Sequence, residues 1–192
     1  MRIEPYELIE SKYRSYDKNT RTLFLRLKKL INSAIPETNI EHTGSTAIGI
    51  SGKNLIDTLL ICKNNNYRPA TTALKKLGFH TSPFKNIPKY RPLLVGSIPY
   101  GGKKYQIHVH ITSNNSEDHK NIIFFRDYLK THPTLAKQYD SLKKSVIDEG
   151  LVDATEYNEQ KAAFITSILK KRKKPTRNTS HPFYSSSAPR PK

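Results

Sequence analysis

Residues 41–62 read Glu41-His42-Thr43-Gly44-Ser45-Thr46-Ala47-Ile48-Gly49-Ile50-Ser51-Gly52-Lys53-Asn54-Leu55-Ile56-Asp57-Thr58-Leu59-Leu60-Ile61-Cys62, and the last eight of them decide the fold. Leu55–Cys62 is a nearly continuous apolar run, the mark of a strand buried on both faces. A short strand is expected just upstream, around Ile40–Thr43, running into the small-residue segment Gly44–Gly52. Working outward, residues 19–32 predict a helix, because Leu23, Leu27, Leu30 and Ile31 recur at three- and four-residue spacing. Pro69 suits the first turn of a further helix carrying Leu74 and Leu77 and stopping at Gly78. Residues 82–92 hold Pro83, Pro88 and Pro92 and read as loop. Pro92–Ile98 and Lys103–Thr112 flank Pro99-Tyr100-Gly101-Gly102 and predict a β-hairpin. Three helical stretches follow, Glu117–Lys130, Pro133–Glu149 and Ala154–Lys171, divided by His132-Pro133 and by Gly150. The order predicts an α+β (mixed α/β) domain: one small mixed sheet covered by helices, with a C-terminal helical segment. No internal repeat is found.

The domain is expected to span 1–171. Residues 172–192 are rich in Ser, Pro, Asn and Arg with almost no aliphatic residue, so a basic, disordered tail is expected there. A chain of 192 residues buries enough surface to fold without a disulfide or zinc staple. Its single cysteine, Cys62, excludes an internal disulfide and points to a reducing compartment. No apolar run approaches the ~20 residues of a membrane span, and the N-terminal residues form no secretory signal. A soluble, cytoplasmic protein is the expectation.

Lys and Arg number 33 against 16 Asp and Glu, a formal charge of +17. Eight of the 33 lie between Lys170 and Lys192, leaving 25 against 16 in the body. The body is therefore basic by itself, which favours polyanionic partners such as nucleotides or RNA, although a Lys-rich solvated surface produces the same count.

Four segments carry chemistry. At Gly44-Ser45-Thr46 a strand runs into a helix start, where backbone N–H groups and hydroxyls suit a phosphate. The same residues also serve as an ordinary helix cap. Asp57 is an acid in an apolar strand, expensive to bury unless a metal, a cation or hydrogen bonds meet it. Lys53 and Arg91 are its candidate ion-pair partners. Along Tyr105–Thr112, His108 and His110 fall on one strand face at i and i+2, where two imidazoles can converge on one metal or phosphate. A half-exposed strand with two incidental histidines is the plainer alternative. Arg126 is placed to hold a phosphate bidentately or to bridge Asp127 or Asp140. Tyr157 and Lys161 read as packing and surface positions.

Taken together, these segments resemble the GrpB/UPF0157 family of the nucleotidyltransferase-fold superfamily. The resemblance rests on Glu41–Ala47 with Gly52–Asp57, then His108-Val109-His110, Phe125–Leu129, His132-Pro133, Ala136, Tyr139, Leu142-Lys143, and finally Tyr157, Lys161 and Phe164-Ile165, in that order. It covers roughly residues 5–169. The likeness implies a nucleotidyltransferase-like fold that binds a nucleoside triphosphate and transfers a nucleotidyl group. Gly44, Ser45, Thr46, Lys53, Arg91 and Arg126 are the implied nucleotide-binding residues. Asp57, His108 and His110 are the implied catalytic residues and ligands of a divalent metal, magnesium or manganese. RNA or another polyanion is an implied partner through the basic body and tail. The superfamily pattern places a second carboxylate two residues beyond the first, and here that position is Leu59. A catalytically inactive nucleotide- or RNA-binding module is the alternative, and a hydrolase using the same histidines a third.

Overall fold

The computed structural model describes residues 1–7, 12–85, 87–148 and 154–172. Its elements are α1 (Asn19–Ala34), β1 (Asn39–Thr43), α2 (Gly44–Ile48), β2 (Ile56–Cys62), α3 (Arg68–Lys76), β3 (His80–Thr81), β4 (Leu93–Tyr100), β5 (Lys103–Ser113), α4 (Glu117–Thr131), α5 (Pro133–Asp148) and α6 (Ala154–Leu169). The strands form one mixed sheet in the order β1-β2-β5-β4-β3. Only the central pair β2 and β5 is parallel. This is the α+β architecture the element order predicts. The basic tail expected over 172–192 lies, from residue 173 on, outside the described residues, as does the side chain of Tyr157.

Alternation along each strand divides the sheet into two faces. On one face Ile56, Leu60 and Cys62 of β2 meet Tyr105, Ile107, Val109 and Ile111 of β5 beneath α1 and α3. Leu23, Leu27, Ile31 and Leu74 close that core, each at most 1% exposed. The opposite face carries Asp57 and Leu59 of β2 beside His108 and His110 of β5, in the register Asp57–His108 and Leu59–His110. A smaller apolar cluster from α4, α5 and α6, including Leu129, Ala136, Tyr139 and Phe164, lies apart from the main core. β5 is not half-exposed, since Gln106 and Thr112 on its polar face are 2% and 1% exposed. A polar face covered in this way has to be satisfied from within or by a ligand.

Two local features differ from expectation. β4 runs on through Pro99 and Tyr100, so the hairpin turns on Gly101 and Gly102 alone, at φ +56° and +72°. Two consecutive residues at positive φ are the demand of the tight hairpin turn that suits strand twist, and glycine meets it without steric cost. Residues His80–Thr81 add a short edge strand, which pairs with Leu94 and Val95. The helix after Gly44 is only five residues long. No helix among the described residues is long and apolar enough to cross a membrane.

Candidate active site

The geometry begins at Gly44, where β1 turns into α2 at φ +70°. A Cβ at Gly44 would stand 2.3 Å from Asp57 Oδ2 and 2.9 Å from Asp57 Cγ. Glycine is thus required twice, once for the backbone angle and once for the volume taken by the neighbouring carboxylate. Asp57 is the second residue of β2, with its side chain 25% exposed.

His108 is a partner of Asp57, its Nδ1 3.5 Å from Asp57 Oδ1; Arg91, considered from the sequence, pairs with Asp118 instead. The other ring nitrogen of His108, Nε2, is 3.3 Å from the Tyr6 hydroxyl. An imidazole fixed through one nitrogen presents the other in a defined direction, as a metal-binding histidine must. Phe84 flanks the same ring at a centroid distance of 5.6 Å. His110, two residues on, has a buried Nδ1 without a hydrogen-bond partner among the described residues. One donor atom from each of Asp57, His108 and His110 lies within 4.8 Å of the others. These residues therefore fit a single divalent ion. Two nitrogens and one carboxylate oxygen suit Mn²⁺ better than Mg²⁺, which favours all-oxygen octahedral shells.

The electrostatics agree with that assignment. Burial raises the Asp57 pKa, but contact with His108 and the charges of His110 and Lys161 outweigh it, so the carboxyl is held below its usual range and is ionised at neutral pH. Burial pushes His110 down to about 4 against the pull of Asp57, with Arg91, His108 and Lys161 adding to the depression. Both groups are thus in the state a metal requires, an anionic oxygen and a neutral imidazole.

The triad forms one wall of a cavity of about 270 Å³ whose other walls include Ser45, Gly52, Lys53, Tyr139, Lys143 and Lys161. Burial lowers the Lys53 pKa, with Lys161 reinforcing and Asp57 opposing the shift. Lys143 reaches in from α5 with a side chain only 4% exposed. Its ammonium donates to Ser45 Oγ at 3.1 Å and to the Ser51 carbonyl, and stands 3.2 Å from Asp140 Oδ1. Burial lowers its pKa, and Asp140 opposes the shift. With those partners Lys143 braces the 44–52 segment against α5.

Of the residues expected to bind nucleotide, Ser45, Thr46 and Lys53 line this cavity. Gly44 stands beside it, against Asp57. The Thr46 hydroxyl donates to the Leu55 carbonyl at 2.8 Å and faces His42 Nε2 at 3.0 Å, so it ties β1 to the residue that leads into β2. Arg91 and Arg126 are not in the lining. Arg91 pairs with Asp118 at 3.0 Å. Arg126 holds Glu41 at 2.7 Å, Asp127 at 2.8 Å and the His42 carbonyl at 3.0 Å.

The model of the family described as GrpB protein matches residues 12–171. The chain belongs to the GrpB family. Among its relatives, the glutamate-rich protein GrpB of Alkalihalophilus pseudofirmus is 30% identical over 165 residues, 81% of this chain and 91% of the relative. A UPF0157 protein of Deinococcus radiodurans is 31% identical over 149 residues, 77% of this chain and 74% of the relative. The crystal structure of conserved protein GrpB from Enterococcus faecalis superposes with a TM-score of 0.67 at 21% identity, over 83% of this chain and 98% of that one. That likeness is one of fold.

Sequence reasoning on this GrpB-family chain missed Tyr6 and the cavity-lining roles of Tyr139 and Lys143, and it read Lys161 as a surface position. The Leu142-Lys143 pair within the family likeness was the available signal for Lys143, but nothing in helical periodicity separates a buried lysine from a solvated one. Lys143→Met keeps the aliphatic stem and removes the ammonium, leaving Asp140 and the Ser51 carbonyl without their partner. A loss of about 1–3 kcal/mol in urea unfolding is expected, and an unchanged midpoint would show that Lys143 braces nothing.

His42 of this GrpB-family protein gives a pH prediction. It stacks on Phe24 at 4.5 Å, and burial pushes it down to about 4, with Asp57 opposing. The unfolded chain takes up this proton near pH 6.5, the folded chain only near 4, so the contribution is complete above about 6.5 and fades as pH falls toward 4. His42→Gln should flatten the stability–pH slope in that window by up to about 1.4 kcal/mol per pH unit, read from urea titrations at several pH values. Equal slopes in parent and variant would contradict it.

Proposed function

We propose that this protein binds a nucleoside triphosphate, as its metal complex, in the cavity between Asp57/His108/His110 and the lysine wall, and transfers the nucleotidyl group to an acceptor hydroxyl. The observation that supports this reading is the convergence of one carboxylate and two imidazoles within 4.8 Å on the wall of a cavity that Lys53 and Lys161 also line. A divalent ion bound there would supply charge neutralisation at the α-phosphate. The chain's own groups do the rest. Lys53, Lys161 and the Ser45 hydroxyl offer cationic and polar donors to the remaining phosphate oxygens. The ionised Asp57 and the Tyr6–His108 contact keep the donors oriented. In the transfer, the acceptor oxygen bonds to the α-phosphorus, the bond to pyrophosphate breaks, and the hydroxyl proton leaves to solvent.

One observation favours a second reading, a nucleotide-binding module without transferase activity. Leu59 occupies the position where a second carboxylate belongs and is 0% exposed. Val95 and Leu93, opposite His108 and His110 on β4, are also apolar and buried. The face thus offers one carboxylate where a two-metal site needs more.

The two readings separate in one assay. Nucleoside triphosphates labelled at the α-phosphate are incubated with the protein, Mn²⁺ or Mg²⁺, and RNA, with chelator controls. Mn²⁺-dependent incorporation of label supports transfer. Mn²⁺-dependent binding without incorporation supports the module, and absence of nucleotide binding in either metal ends both.

A further inference from the structure

A second groove, of about 780 Å³, lies at the far ends of the parallel pair β2 and β5 and carries Lys63, Asn64, Tyr67, Lys89, Tyr90 and Asn115. Tyr90 is 64% exposed, unusual for a ring of its size, and Lys63 and Lys89 are also exposed. Asp118 is the acid in its lining, and it is paired with Arg91. Lys63 meets Glu37 only in a solvent-exposed pair, which a phosphate can readily exchange. The loop that supplies Lys89 and Tyr90 also supplies Phe84, 39% exposed, whose ring stands against His108 of the triad. One loop therefore borders both the groove and the proposed catalytic cavity.

From this arrangement we infer that the groove binds single-stranded nucleic acid, with an unpaired base stacked on Tyr90 and phosphates held by Lys63 and Lys89. Exposed rings interleaved with cations are what a sequence-tolerant single-strand site needs, since each base has a stackable face and each linkage a negative charge. The amides of Asn64 and Asn115 can meet base edges as donor or acceptor alike. Net charge of +17 supplies long-range attraction but no such site. A duplex, whose bases are already stacked, cannot use the tyrosine. That the strand runs past Phe84 and presents its terminal hydroxyl at the triad rests on the nucleotidyl-transfer reading; its binding in the groove does not.

The test is fluorescence anisotropy with fluorescein-labelled oligo(U) and oligo(dT) of about twelve nucleotides, using the full chain at about 200 mM salt to suppress contacts from the basic run after Lys170. Tyr90→Ala should weaken single-strand binding about tenfold or more, and Lys89→Ser should lower the log–log salt slope by about one. Unlabelled duplex should compete poorly. Comparable losses with oligo(U) and oligo(dT) mark general stacking, and a loss confined to oligo(U) marks RNA. Tyr90→Ala binding like the parent, or duplex competing as well as single strand, overturns the proposal. Mn²⁺-dependent nucleotide binding is measured on the same variants. If the parent binds no nucleotide while Tyr90→Ala loses the strand, the groove stands and the transfer reading falls; the reverse pattern removes the groove alone.

Discussion

Asp57→Asn, nearly isosteric with the parent, should abolish Mn²⁺-dependent nucleotide binding while leaving the protein folded. The substitution removes the only carboxylate of the described metal-ligating cluster, the other two members being neutral nitrogens. Without its charge, a divalent ion would have to shed water for two imidazoles and an amide oxygen, which binds hard cations weakly. Loss of a group that merely orients ligands costs 10–100-fold in metal affinity, so loss of a ligand should cost at least about a hundredfold. Calorimetric titration of Mn²⁺ into parent and variant measures it, and circular dichroism checks the fold. Matching stoichiometry and affinity would remove Asp57 from the site and the proposed function with it.

Gly44→Ala should be strongly damaging for so small a change. Alanine at φ +70° is strained, and its Cβ would overlap the Asp57 carboxylate at 2.3 Å. The backbone strain costs about 1 kcal/mol, and relieving the overlap requires Asp57 to leave its position, for a total near 3 kcal/mol. Gly49 provides the control. It also has positive φ, +89°, but a Cβ there meets nothing within 4 Å. Gly49→Ala should therefore show the backbone cost alone and retain Mn²⁺ binding, whereas Gly44→Ala should lose both stability and metal. Equal behaviour of the two variants in urea unfolding and calorimetry would mean that Gly44 does not make room for Asp57.

These two variants lie on the part of the site that was legible in the sequence. The apolar run ending at Cys62 announced a two-faced strand, and alternation put His108 and His110 on one face of β5. Strand periodicity is local, so it survives in one dimension. The ordered motifs supplied the rest of the expectation, including family membership. Lys161 shows where that kind of legibility ends. On α6 its neighbours at helical spacing resemble those of any amphipathic helix, and its place on the cavity wall follows only from how α6 packs against α4 and α5. The arginines show the same limit in reverse. Arg126 has the chemistry for a phosphate, but Glu41, 85 positions earlier in the chain, lies 2.7 Å from it. Asp118 meets Arg91 across 27 residues at 3.0 Å.

The sequence by itself determined the four longer strands, the faces they bury, the two imidazoles on one face of β5, and the family; the parallel pairing of β2 with β5, which sets Asp57 beside them, it did not. Only the tertiary structure decided which cations reach the cavity and which are neutralised beforehand, and that Lys143 is a brace. The physical reason is range. Hydrophobic periodicity is set by neighbours a few residues away, whereas a charged side chain takes its partner from whatever lies within about 4 Å in space, and that distance exists only after the sheet and helices have closed on one another.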